Sequence, residues 1–73
     1  MTLQEGNPDS LYRVEKLELP VGLERRLEAL GLIEGSSVSV LRKKRRGAMV
    51  IKVRGTRFAV GYGISSHIRI QAV

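Results

Sequence analysis

Five consecutive cationic side chains, Arg42, Lys43, Lys44, Arg45 and Arg46, are followed by Gly47. Ammonium and guanidinium groups at this density attract phosphates, carboxylates and anionic lipid headgroups, so the run points to docking rather than to bond-making chemistry. A solvated hairpin tip that keeps a sheet edge soluble has the same composition. Other chemically able residues are few. His67 is the single histidine and cysteine is absent, so Cys-based zinc and redox sites are excluded and no transition-metal ligand set can be assembled. Ser37, Ser65 and Ser66 lack the Asp and His partners of a nucleophilic triad. Glu24 and Glu28 stand one helical turn apart beside Arg25 and Arg26, which favours surface pairing over acid–base work. The glycine-rich stretch from Gly61 to Ser66 lacks the lysine that closes a phosphate loop. Nothing in this inventory reads as an enzyme.

The elements that position the basic run follow from charge and periodicity. The 73 residues suffice for one domain with a small core, and 42% hydrophobic residues argue against a disordered chain. Residues 1–34 hold four basic and seven acidic side chains, whereas residues 35–73 hold nine basic and none acidic. The second half should therefore project a positive field toward acidic partners. No run of apolar residues is long enough to cross a membrane, and the opening MTLQEGNPDS has neither the basic start nor the apolar stretch of a signal peptide. The expectation is a cytoplasmic protein that is not itself membrane-embedded.

Residues 1–10, with Gly6, Asn7 and Pro8 together, read as a flexible lead-in, and residues 11–73 as the folded domain. A short strand fits Leu11 to Leu17, with Val14 inward. Leu23, Leu27 and Leu30 recur at helical spacing, with Gly22 as a serviceable N-cap and Gly31 suited to the position after the helix. After Gly35 the period changes to two. Val38 and Val40 should face one way, as should Met49, Ile51 and Val53, then Phe58, Val60 and Tyr62, then Ile68 and Ile70. Gly55 marks a tight hairpin, and Gly61 to Ser66 a loop or one helical turn. The fold class is therefore mainly β, a small barrel of about five strands with a short helix after the first.

In that frame the basic run leaves the Val38–Val40 strand and precedes the Met49–Val53 strand. Consecutive charges cannot continue a half-buried strand, because alternate side chains would enter the core. They belong to a hairpin tip or its extended ends. Nucleic acid is one candidate ligand, although Tyr12, Phe58 and Tyr62 are the only aromatics for stacking and Phe58 alternates with core residues. A membrane surface is another, without an amphipathic basic helix to support it.

One further comparison covers most of the chain. Arg26 and Leu27 at the helix, LGLIEG (Leu30 to Gly35), the alternating VSVL, Gly47, IKVRGTRFAVG (Ile51 to Gly61) and the closing Ile68 and Ile70 follow one another in a characteristic order. The run from Tyr12 to Ile70 resembles the FeoA family of bacterial ferrous-iron uptake proteins. The resemblance implies an SH3-like barrel with a helix inserted after the first strand. It also implies an accessory that binds and regulates a membrane ferrous-iron permease carrying a cytosolic GTP-binding domain. Ferrous iron is the transition metal it brings to mind, with no ligand set placed. The same domain ends certain metal-dependent repressors, but no helix-turn-helix pattern is present here. The expected contact face joins Arg42, Lys43, Lys44, Arg45 and Arg46 to the Leu30–Gly35 turn, with Leu32 and Ile33, and would meet an acidic protein surface. Gly31, Gly35, Gly47 and Gly55 are expected to make the structural turns. The alternative is a small basic barrel that binds nucleic acid.

Overall fold

Residues 1–45 and 47–73 are described by a computed structural model, so the reading of Arg46 as a contact residue lies outside the described residues. A 3-10 turn (Leu3–Glu5) precedes β1 (Ser10–Leu17), α1 (Val21–Ala29), β2 (Ser37–Lys43), β3 (Met49–Val53), β4 (Thr56–Val60), α2 (Tyr62–Ser65) and β5 (Ile68–Ala72). The strands form one antiparallel sheet in the order β4-β3-β2-β1-β5. The sheet curls around its core without closing, because β4 and β5 are its two ends and do not pair with each other. Alternation was a sound guide to the inner face: Val14, Val38, Val40, Met49, Ile51, Val53, Ile68 and Ile70 are all buried.

Two β-bulges break that alternation. On β1 the register against β5 shifts between Val14 and Lys16, so Glu15 and Lys16 both stay exposed and Leu17 turns back into the core. On β2 the register against β3 shifts between Val40 and Arg42. Val40 opposes the buried Ile51, but Arg42 opposes the half-buried Val50 on the outer face. An extra residue on one strand re-aims every side chain after it. Unbroken parity from Val38 and Val40 would send the Arg42 guanidinium into the core.

The first ten residues are not the frayed lead-in expected for them. Leu3 is fully buried in the core cluster, and Thr2 bridges to Arg69 of β5. The Ile70 N–H donates to the Met1 carbonyl at 2.8 Å. The Glu5 carboxylate accepts from the Thr2 N–H at 2.6 Å and from the Thr2 hydroxyl at 3.2 Å. T-L-Q-E is a capping-box sequence, a signal for local order that composition alone conceals.

Helix α1 is capped by Pro20 rather than Gly22, with the Leu23 and Glu24 N–H groups donating to the Pro20 carbonyl at 3.0 and 2.9 Å. It stops before Leu30, which is 42% exposed rather than part of a buried stripe. Gly31, at φ 101°, ends it as anticipated. The Gly31 N–H reaches the Glu28 carbonyl at 2.9 Å and the Leu32 N–H the Leu27 carbonyl at 3.0 Å, a Schellman motif. Between β3 and β4 both turn residues, Arg54 at φ 49° and Gly55 at φ 81°, have positive φ, as a two-residue type I′ hairpin requires. Tyr62 does not continue the inward row of Val60: it opens α2 and is 46% exposed.

Candidate functional site

The basic run divides between a strand and a turn. Arg42 and Lys43 are the last residues of β2, while Lys44 and Arg45 follow in the connection, whose Gly47 N–H donates to the Lys44 carbonyl at 3.0 Å. The bulge places Arg42 outward and brings Lys43 onto the inner side, opposite the buried Met49. At the rim of the barrel Lys43 Nζ donates to the Gln4 carbonyl at 3.1 Å. Arg42, Lys44 and Arg45 remain exposed. Arg42, Lys43 and Lys44, with Ala48 and Val50, line a shallow depression of about 210 Å³. This is smaller than the usual pocket for a small molecule, roughly 300–1,000 Å³, and suits surface contact better than engulfment.

The other half of the expected face lies elsewhere. Gly35 and Ile33 precede β2 and the basic connection follows it, so the seven residues of β2 hold the two about 20 Å apart. Leu32 is fully buried, because the residue after a Schellman glycine packs back on the last turn of the helix, here beside the buried Leu27. Its side chain is therefore unavailable to a partner. Ile33 is half-buried; its N–H and carbonyl both meet the Ser36 hydroxyl, at 3.2 and 2.7 Å. Gly35, at φ 88°, donates its N–H to the Val14 carbonyl at 2.8 Å and starts the chain into β2. Gly31, Gly35 and Gly55 thus occupy backbone positions that favour glycine, and the structure does not merge the Leu30–Gly35 turn with the basic run.

A positive surface that reading residue by residue missed replaces it. Cross-strand register places Leu11, Ser39, Lys52 and Arg57 in one row across β1, β2, β3 and β4. The next row is Arg42, Val50 and Ala59. Lys52 and Arg57 are both exposed and directly opposed. They extend the cationic end of β2 across the outer face of the sheet. Their alternate positions in AMVIKV and RFAVGY were the available signal, but only the hairpin register makes them neighbours. The one ion pair among the described residues, Arg69 with Glu18 at 3.2 Å, involves neither.

The FeoA domain family matches residues 1–72 of the chain. The chain belongs to the FeoA family, the accessory family of ferrous-iron transport. Solved structures agree. An iron uptake regulatory protein (FeoA) superposes with a TM-score of 0.88 at 27% identity, covering 97% of this chain and 95% of its own. FeoA of Stenotrophomonas maltophilia in complex with zinc, described as a prokaryotic SH3 domain protein and a candidate ferrous-iron transport activating factor, gives 0.83 at 25% identity over 97% of this chain and 89% of its own. FeoA of Chlorobium tepidum gives 0.92 at 23% identity over 100% of this chain and 70% of its own, which speaks to fold. No curated protein sequence matches the chain at a significant level. The SH3-like architecture expected from the resemblance is therefore the observed one, with its sheet left open between β4 and β5.

Among the described residues no group of three or more His, Cys, Asp or Glu side chains is placed to hold an ion. His67, the single histidine, has its Nδ1 2.9 Å from the Gly63 carbonyl and 3.2 Å from the Ser66 hydroxyl. Among the described residues no helix is long and apolar enough to cross a membrane.

Proposed function

We propose that the protein is a non-enzymatic, cytoplasmic accessory that docks on a membrane ferrous-iron permease, at its cytosolic GTP-binding domain, and regulates uptake. The observation that carries this reading is the FeoA match over residues 1–72. The cationic outer face supports it physically, since it suits an acidic protein surface. Ferrous iron is then the cargo of the partner and not a ligand of this chain. Exposed cations at such a face chiefly speed encounter and fix register, and they lose influence as salt screens them.

Nucleic acid would be drawn by the same charge, but of the three aromatic side chains only Tyr62 is exposed, too few for a stacking platform. Tyr12 is buried, its hydroxyl accepting from the Asn7 N–H at 2.8 Å, and Phe58 packs against the core on the inner side. The experiment is an NMR titration of the labelled protein with the soluble GTP-binding domain, with a short DNA duplex in parallel. Shifts at Arg42, Lys44 and Arg45 with the protein domain alone are expected. Shifts with DNA alone, fading steeply with salt, would overturn the reading.

A further inference from the structure

The two ends of the sheet are treated differently. The edge of β5 is covered, because Met1 and Thr2 lie along it, joined by the Ile70 N–H to Met1 carbonyl bond and the Thr2–Arg69 bridge. Among the described residues the edge of β4 has no such cover. The Val53–Thr56 pair flanks a two-residue turn, so it is a hydrogen-bonded pair, and the alternation continues through Ile51–Phe58 and Met49–Val60. The intervening residues of β4, Arg57 and Ala59, then turn their N–H and C=O groups away from β3. No backbone group of the described residues outside the sheet pairs with either. An open strand edge is a template for another strand.

The side chains along this edge specify what would fit. Arg57 faces Lys52 across a non-hydrogen-bonded pair, the closer of the two antiparallel spacings, and like charges directly opposed are destabilising. A cation on an edge strand is an ordinary guard against self-pairing, which accounts for Arg57 alone. It does not account for a second cation set opposite it. On the inner side of the same strand Phe58 is only partly buried at the margin of the core. A second copy of this chain would bring Arg57 and Lys52 against their own kind.

Resting on the docking function proposed above, we infer that β4 is the docking edge: an extended acidic segment of the permease's cytosolic face adds to it as a sixth antiparallel strand. A carboxylate opposite Arg57 would complete the row Ser39, Lys52, Arg57 and neutralise the like-charge pair. The residue before it in that segment, facing inward, would be apolar and cover Phe58. The residue before that would be small or apolar, opposite Ala59 in the row of Arg42 and Val50. The motif sought, read from N- to C-terminus, is therefore a small or apolar residue, an apolar residue and an acid in succession within an extended segment.

The test combines amide exchange with two kinds of substitution, using the full chain and the intact permease in nanodiscs. Exchange is quenched after incubation in heavy water and read residue by residue by NMR. The Arg57 and Ala59 amides should slow on complex formation, and Arg57→Glu should weaken binding roughly tenfold or more, as loss of a paired interfacial charge does. Ala59→Pro removes an outward N–H without changing charge and should also abolish the Arg57 protection. Should Ala59→Pro fail to fold, Lys52→Glu and the exchange data carry the test. A complex that forms through Arg42 and Arg45 while the Arg57 and Ala59 amides exchange as before overturns the strand-addition inference and leaves the docking function standing. Absence of any complex overturns both. Protection that appears without permease, with a doubled mass at high concentration, assigns the edge to a second copy and overturns the inference. Protection by anionic vesicles without permease assigns it to lipid and does the same.

Discussion

Lys43 Nζ donates to the Gln4 carbonyl at 3.1 Å, a bond that ties the second residue of the basic run to the N-terminal turn. Gln4 in turn accepts from the Ser65 hydroxyl of α2 through Oε1 at 2.5 Å, and Ser65 is fully buried. Three segments distant in sequence are thus pinned together at one end of the barrel. Neighbouring cations in LRKKRRG consequently have different work. Lys43→Ala should lower stability by about 0.5–1.5 kcal/mol, the usual net worth of a hydrogen bond. Lys44→Ala should leave stability within about 0.5 kcal/mol, as surface substitutions do, and act on partner binding instead. Urea unfolding of both variants beside a binding assay separates the roles; equal stability losses would contradict the division.

Leu3 is the second expectation to test, because its burial makes the first turn part of the core. Leu3→Ala should cost about 2–5 kcal/mol, the range for emptying a well-packed apolar site. A truly frayed segment would show almost nothing. For a domain this small such a loss is a large share of total stability, and thermal unfolding should report it as a fall of many degrees.

How much of this was open to reading from sequence depends on where the period held. Val38 and Val40, then Met49, Ile51 and Val53, gave their strands away because each strand has one wet and one dry face. The interruptions at Glu15 and Leu41 were not legible, since a bulge depends on pairing with a distant strand and leaves no local mark. Of the tip and extended ends that the sequence left open for the basic run, its first two members take the end, as the last residues of β2. The candidate face was half legible for the same reason. Adjacent cations announce themselves, whereas Lys52 and Arg57 become neighbours only through the hairpin register. Leu32 was misjudged because an apolar residue beside a turn looks available until the Schellman bond folds it inward.

Gly22 and Gly31 offer a third prediction with opposite signs. Gly22 sits inside the first turn of α1, and an added Cβ would meet nothing within 4 Å. Gly22→Ala should stabilise the protein by about 0.5–1 kcal/mol by trimming the freedom of the unfolded chain. Gly31 lies at φ 101°, with the Arg54 Cδ 3.1 Å from where a Cβ would stand. The Arg54 side chain can yield, but the backbone conformation cannot, so Gly31→Ala should cost about 1–2 kcal/mol. Paired denaturation curves check both. Were Gly22 the helix cap, its replacement by Ala would destabilise as well.

Glu5 supplies a pH-dependent prediction. The Thr2 backbone N–H, and after it the Thr2 hydroxyl, hold the Glu5 carboxyl below its ordinary range by stabilising the charged form. A group whose folded pKa is depressed adds stability that is complete above its unfolded value, about 4.3 for glutamate, and disappears as pH falls through the lower folded value. Glu5→Gln keeps an oxygen that can accept from Thr2 but has nothing to titrate. The stability difference between wild type and Glu5→Gln should therefore be constant from neutral pH down to about pH 5. Below that it should shift against wild type as its carboxylate takes up a proton. Every other carboxylate is common to both proteins and cancels in the difference. Urea midpoints measured from pH 7 to pH 2.5 check it, and a difference that stays flat throughout would show that Glu5 does not cap the first turn in solution.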